Sequence, residues 1–309
     1  MADAELDHVD ASIEAGTVGP TAVYHTDNDA RAVGKALRWA RSRNCTDVEL
    51  LVTGDELAGA LARRAALLPE AAIAVSAVTG AEARPAEPAP ASAAPALLPG
   101  HRAIAGLITE AGATPVDDHG VLVAEFAGLE IARVIDGDDG PVLDVGVGQA
   151  DRELNQMVHA GADPVTDLRR VIAAVADYRL RQRHHPLGRL SRERWLRAVL
   201  IDDPSVVGAA DLRPAVPLRP RGGLRESVPS AAVGTTADGG PLVVVTMVGV
   251  DLDVVPEAAD YRAHNDPEAE VVVVMPERDL TLSTTAIELL PRSRAVSVEG
   301  PWIAADTDR

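Results

Sequence analysis

Residues 48–78 read VELLVTGDELAGALARRAALLPEAAIAVSAV, and the parsing of this stretch decides the fold. Val48-Glu49-Leu50-Leu51-Val52 reads as one strand and Ile73-Ala74-Val75-Ser76-Ala77-Val78 as another. Between them, Leu57, Leu61, Ala65 and Leu68 recur at helical spacing and give a helix over 55–68 one apolar face. Strand, helix and strand in that order form a βαβ unit, and such units build mostly parallel sheets. Upstream, 21–24 is a short strand, and Asp29 stands where it would cap a helix running to about 43. Residues 1–20 are acidic and polar and are expected to form a flexible leader to this N-terminal α/β module at 21–80.

Downstream, Pro85, Pro88, Pro90, Pro95 and Pro99 punctuate residues 81–100. Proline removes a backbone donor and fixes φ, so this density predicts a semi-extended linker. A third region, 101–227, combines a β-meander with helices. A helix over 102–111 is stopped by Gly112, and strands over 121–126, 129–135 and 141–147 are separated by Asp/Gly turns. Helices follow at 151–160, at 163–181 with Asp163 as cap and Pro164 in the first turn, and at 191–200 behind Ser191. A connector bearing Pro214, Pro217 and Pro220 leads to a C-terminal α/β module at 228–303. That module opens with a hairpin, 231–233 and 241–247, turning at Asp238-Gly239-Gly240, then a helix over 256–263 and a strand over 271–275. The fold class is therefore α/β, with two small mixed or parallel-sheet modules joined by an antiparallel meander and a helical, arginine-rich middle.

The two α/β modules echo each other. Leu51-Val52 and Leu67-Leu68-Pro69 match Val273-Val274 and Leu289-Leu290-Pro291 at a constant offset of 222 positions, and Ala74-Val75-Ser76 matches Ala295-Val296-Ser297. A second echo pairs Gly140-Pro141-Val142 with Gly240-Pro241-Leu242, each after an acidic turn.

The hairpin, helix, strand, helix, strand order over 231–300 resembles the core of the restriction-endonuclease-like, PD-(D/E)xK, family. The resemblance is topological and covers about seventy residues. It implies an acid on one strand and Glu/Asp-x-Lys on the next, with carboxylates on magnesium and the lysine beside the attacking water. Within 230–250 the single acid is Asp238, in the turn. The 121–148 hairpin fits better, with Glu130 on one strand and Asp144-Val145-Gly146 on the next, but Gly146 occupies the lysine position and Gln149 lies nearby. The resemblance thus implies a degenerate, non-catalytic descendant.

Composition excludes several chemistries. Lys35 is the single lysine among 29 lysine and arginine residues, and its surroundings (Val33-Gly34-Lys35-Ala36-Leu37) match no phosphate-loop, Schiff-base or nuclease lysine motif. One cysteine, Cys45, excludes an intramolecular disulfide and any cysteine-cluster metal site. Three Trp, three Tyr and one Phe supply few platforms for stacking single-stranded bases. The eight histidines show no metal spacing, and no Gly-x-Ser-x-Gly elbow is present. A net charge of −18, an acidic N-terminus without an apolar core and the lack of any long apolar run predict a cytoplasmic protein with no membrane partner.

Three constellations remain. Asp251-Leu252-Asp253 closes a strand with Glu257 one turn into the next helix, so that Asp251 and Asp253 are candidates for holding Mg²⁺. Val145-Gly146-Val147-Gly148-Gln149-Ala150 resembles a glycine-rich loop entering a helix, a geometry that presents N–H groups to phosphate. From Arg169 to Arg197, nine arginines face only Asp177 and Glu193, and Arg181, Arg183, Arg189, Arg192 and Arg194 are the candidates for a nucleic-acid surface. The alternative is that these arginines pair internally with the surplus acids. Three functions follow as expectations: a nucleic-acid-associated protein with a degenerate nuclease-like core, in which Glu130 and Asp144 are remnants; a metal-dependent phosphodiesterase using Asp251, Asp253 and Glu257; and a non-enzymatic scaffold.

Overall fold

Strand pairing begins earlier in the chain than its acidity suggests. β1 (Leu6–Asp10) and β2 (Ile13–Val18) pair antiparallel, and β2 pairs antiparallel with β3 (Thr21–Thr26) around a two-residue turn. Gly19 opens that turn at φ 61°, where a side chain would be strained. The leader expected over 1–20 is corrected accordingly: Ala15 is fully buried opposite Tyr24, and the hydrogen bonds to β3 outweigh the local polarity. The structure, a computed structural model, describes residues 6–10, 13–158, 161, 163–181, 185–284 and 286–300. Its contacts divide into two units: Met1–Ser92 with Val250–Val296 (unit 1), and Ala93–Gly249 with Ser297–Arg309 (unit 2).

In unit 1, α1 (Ala32–Ser42), β4 (Asp47–Thr53), α2 (Asp55–Ala66), β5 (Ala72–Thr79) and β6 (Glu82–Pro85) follow β3. β3, β4 and β5 are parallel, as the sequence predicts, and β6 closes the sheet antiparallel. Leu50 and Val52 on β4 and Leu61 and Leu68 from the α2 segment are all fully buried. Each such leucine contributes about 1.5–3 kcal/mol of apolar burial. The proline-rich linker is more ordered at its start than expected. Residues 82–85 are strand, the Ala86 N–H donates to Val75 O at 2.8 Å, and the Ala89 N–H donates to Gly59 O at 2.9 Å.

Unit 2 takes up the end of that linker, where Leu97 joins the core. α3 (Pro99–Ala103) and α4 (Ala105–Ala111) precede a four-stranded antiparallel sheet of β7 (Thr114–Asp118), β8 (Val121–Phe126), β9 (Leu129–Gly137) and β10 (Gly140–Val145), with strand order β10-β9-β8-β7. α5 (Gly148–Val158) and α6 (Pro164–Ala176) follow. Asp163 caps α6 as read, accepting the Thr166 N–H at 2.9 Å. Ile108, Leu129, Ile131 and Leu168 form the fully buried centre of this layer. A wide helical turn (Asp177–Arg181) and a 3₁₀ turn (Pro186–Arg189) lead to α7 (Arg192–Asp202). Ser191 precedes α7 in the left-handed region, φ 46°, and makes no capping bond. Its hydroxyl faces Leu224 O at 3.4 Å instead. β11 (Ala209–Pro214), β12 (Ser230–Thr236) and β13 (Pro241–Thr246) form an antiparallel meander.

The chain then returns to unit 1 with α8 (Val254–Asn265), β14 (Glu270–Met275), α9 (Glu277–Ser283) and β15 (Ser293–Ser297), which lies beside β14. The C-terminal module read as 228–303 is therefore divided: 228–249 belongs to unit 2, where β12 pairs with β11, and 250–296 belongs to unit 1. The internal echo is seen in the elements. α1 and α8 begin 222 positions apart (32 and 254), as do α2 and α9 (55 and 277). It also extends to a local motif at the same offset. Asp29 accepts the Arg31 N–H and Asp251 accepts the Asp253 N–H, each through Oδ1 at 2.9 Å.

Candidate functional site

The unit 1 candidates Asp251 and Asp253 sit at the start of α8, 6% and 2% exposed. Every carboxylate oxygen of the pair is already engaged. Asp251 Oδ1 accepts the Asp253 N–H and Oδ2 the Arg31 guanidinium; Asp253 Oδ1 accepts the Gly34 N–H at 3.1 Å and Oδ2 the Arg64 guanidinium. Arg64 also binds Asp260 Oδ2 at 2.5 Å and Ala30 O at 3.1 Å, and Arg63 binds the other Asp260 oxygen. Glu257 is buried within reach of the fields of Arg31 and Arg64. Gly34 makes this approach possible, because a Cβ there would stand 2.0 Å from Leu252 O. Burial alone would lower the Arg64 guanidinium, but Asp253 and Asp260 more than offset it and hold it above its ordinary range. Burial pushes the Asp253 carboxyl up, against the pull of Arg64 and Arg31. Three arginines and three aspartates thus form a knot in which every carboxylate oxygen of Asp251 and Asp253 already accepts a hydrogen bond.

Unit 2 brings Glu130, Asp144 and the glycine-rich loop together, as their spacing suggests. Glu130 and Arg133 lie on β9 and Asp144 on β10, and Arg152 reaches back from α5 to both acids. Its Nη1 stands 3.3 Å from Glu130 Oε1 and its Nε 3.1 Å from Asp144 Oδ2. Arg133 holds the same Glu130 oxygen at 2.7 Å, and Gln156 Nε2 donates to Asp144 Oδ1 at 2.8 Å. The lysine position of the nuclease-like pattern, Gly146, admits no side chain: φ is 145°, and a Cβ would lie 2.7 Å from the Arg152 backbone nitrogen. A cationic side chain therefore stands between the acids, and the third member of the pattern is excluded by the fold. This donor set does not fit a Mg²⁺ ion. Among the described residues no group of three or more His, Cys, Asp or Glu is arranged to hold a metal.

The loop bounds a cleft of about 620 Å³. One wall is Val147 to Ala150 at the start of α5; the facing wall is the stretch from Arg221 to Arg225. The two approach closely, since a Cβ on Gly148 would lie 3.8 Å from Leu224 Cδ1. Asp151 occupies one loop donor, the Val147 N–H, at 2.7 Å. Arg221 is held by Ser191 Oγ at 2.8 Å and by Glu193, with its side chain 6% exposed. Burial, the neighbouring Arg194 and the opposing pull of Glu193 leave the Arg221 guanidinium below its ordinary range. Arg225 on the rim is exposed and makes no ion pair among the described residues.

The arginine-rich stretch turns largely inward. Arg194, a candidate for an exposed nucleic-acid face, is 4% exposed and binds Asp118 at 2.8 Å and Glu125 at 3.0 Å; this corrects its expected placement. Arg197 joins it on Glu125 and reaches Ser230 Oγ at 3.0 Å. Arg179 is fully buried, donating to the carbonyls of Ala127, Leu187, Leu190 and Ser191 and stacking 4.4 Å from the Trp195 ring. Burial pulls its guanidinium down to about 10, with Glu125 and Glu193 opposing. Arg170 pairs with Asp167 at 2.7 Å. Arg189 is exposed and Arg192 half-buried, whereas Arg183 and the Arg181 side chain lie outside the described residues. The network formed by Asp118, Glu125, Arg194 and Arg197 escaped sequence reasoning because its acids precede its arginines by 69 to 76 positions. No described helix is long and apolar enough to cross a membrane. In comparisons with known proteins, the chain matches no family model, no curated protein and no solved structure.

Proposed function

We propose that this protein acts by binding and not by catalysis, with the unit 2 cleft as its binding site. The observation that carries this reading is the position of Arg152, whose guanidinium contacts Glu130 and Asp144 where a hydrolytic centre needs a metal. A degenerate nuclease-like hairpin of this kind keeps its acids as structural partners of arginine. The knot of Asp251, Asp253 and Asp260 supports the same reading for unit 1. A small anion suits the cleft better than a nucleic-acid backbone suits the 169–197 stretch, since Arg225 on the cleft rim makes no ion pair among the described residues while Arg179, Arg194 and Arg197 are spent inside. The test is incubation of the protein with single- and double-stranded DNA and RNA in Mg²⁺ or Mn²⁺, followed by duplex binding across a salt series. We expect no cleavage and no steep loss of binding with salt. Cleavage that disappears in Asp144→Asn or Asp251→Asn overturns the non-catalytic reading. Duplex binding with a steep salt slope that weakens in an Arg189→Gln, Arg192→Gln variant restores the nucleic-acid reading.

A further inference from the structure

We infer that the face joining the two halves of unit 1 is also an interface between copies of this chain. Met1–Ser92 of one copy docks on Val250–Val296 of a second, and the reverse, giving a reciprocally exchanged dimer. The inference is independent of the cleft and starts from the echo at 222 positions. β1 to β6 form one sheet and β14 and β15 belong to another, so the halves meet through helices, with α8 packed on α1 and on α2. Their ion pairs follow a reciprocal pattern. Arg31 lies 222 positions before Asp253, and its Nε stands 3.8 Å from Asp253 Oδ2, so one position of the repeat faces its own counterpart. Arg41, late in α1, binds Glu288, the counterpart of Ala66 at the end of α2. Conversely Asp260, late in α8, binds Arg63 and Arg64 at the end of α2. The first helix of each half thus reaches the end of the second helical segment of the other. Such reciprocity is the mark of a two-fold interface between identical subunits, here with both subunits on one chain.

Charge makes the two faces complementary to each other and not to themselves. Arg31, Arg63 and Arg64 lie on the first half, and Asp251, Asp253 and Asp260 on the second. Two first halves would set arginine against arginine. The partner of a first half is therefore a second half, its own or that of another copy.

The covalent connection leaves that choice open. Residues 86–98, which lead out of the first half, contain neither helix nor strand and carry Pro88, Pro90 and Pro95. An exchanged copy makes the same contacts across the face, so its balance against the closed chain is set by the tether. The effective concentration that a short linker confers is on the order of millimolar. Exchange of an identical element is a low-cost route to a dimer on such terms, and it becomes measurable as the protein approaches that concentration. Each dimer then carries two copies of unit 2.

Cross-linking between two full-length variants tests this, one carrying Arg63→Cys and the other Asp260→Cys. These positions touch across the face, and Arg64 remains to bind Asp253. The variants are mixed, unfolded in urea under reducing conditions, refolded together and then oxidised. Because the Asp260 side chain is 4% exposed, collision between closed monomers does not bring the two sulfurs together. A single chain with both substitutions should close a disulfide within the monomer. The mixed chains should give a covalent dimer whose fraction rises about tenfold between about 0.1 and about 1 mM protein. Arg63→Cys mixed with the parent chain sets the background due to Cys45. A mixed-chain signal that does not exceed this background, or does not rise with concentration, overturns the exchange. A doubly substituted chain that forms no disulfide overturns the face itself.

Discussion

The unit 1 knot and the unit 2 cleft use the same chemistry, arginine forks on paired carboxylates, and end in opposite states. In the knot, Arg64 and the aspartates it binds are closed off, with side-chain exposures of 11%, 2% and 4%, and each guanidinium is answered by an acid. In the cleft, Arg152 is equally buried, but the loop beside it is exposed at Gln149 and Ala150 and the rim arginine, Arg225, has no acid partner among the described residues. The difference teaches that a buried arginine–acid pair does not by itself mark a binding site. A buried guanidinium nitrogen without a hydrogen-bond partner occurs in both, Arg31 Nε in the knot and Arg221 Nε at the cleft, so what sets the cleft apart is the exposed, unpaired arginine on its rim.

The contrast predicts unequal costs of truncation. Arg64→Met takes the closest guanidinium from the 2% exposed Asp253, which keeps the Gly34 N–H, while Arg63 still holds Asp260, and removing one partner of so buried a network costs about 4 kcal/mol. Urea unfolding should show the midpoint falling accordingly, and a loss near zero would mean that the knot is open to water. Arg152→Met should cost less, about 2 kcal/mol, because Arg133 still holds Glu130 and Gln156 still holds Asp144. The same measurement with and without MgCl₂ sharpens the comparison. If the freed acids become a metal site, magnesium will stabilise this variant and not the parent protein; no such gain is expected, because Gly146 supplies no third group.

The smallest effect belongs to Asp163, a fully exposed cap outside both constellations. Its bonds to Thr166, through side chain and backbone, hold its carboxyl below the usual carboxylate range. A folded-state value that is depressed means stability present above the unfolded value of about 3.9 and lost as pH falls through the folded one. Asp163→Ala should therefore be less stable than the parent at neutral pH, with the gap closing below about pH 4. A gap that stays constant down to acidic pH would show that the cap acts through shape and not charge.

Much of the fold was legible because it is written in local period. The βαβ stretch over 48–78, the offset of 222 between the α/β segments and the Asp163-Pro164 cap all depend on neighbours within a few turns. What escaped was set by distance. Arg31 meets Asp251 across 220 positions, and nothing near Asp251 shows that its ligand is a guanidinium. Helix α7 shows the same limit: Arg194 reads as a candidate for a nucleic-acid surface with internal pairing as the alternative, and Glu193, Arg194 and Arg197 are all buried against charged partners from other segments. The site was half legible. Glu130, Asp144 and the glycine loop were found by pattern, while Arg152 closing on them and Arg221 and Arg225 facing them required the tertiary arrangement.

The division of unit 1 around an intervening unit sets an order on biosynthesis. Arg64 leaves the ribosome 189 residues before Asp253, its partner. At about 5–20 residues per second, that is a wait of roughly 10 to 40 s. During it the first six strands and two helices exist without the aspartates that will neutralise Arg31, Arg63 and Arg64. The long segment of unit 2, Ala93–Gly249, is contiguous and can assemble its core in that interval. The nascent chain thus carries a half-built domain whose Arg31, Arg63 and Arg64 await their acids, and the arrival of Asp251, Asp253 and the α8 residue Asp260 is the step that closes it.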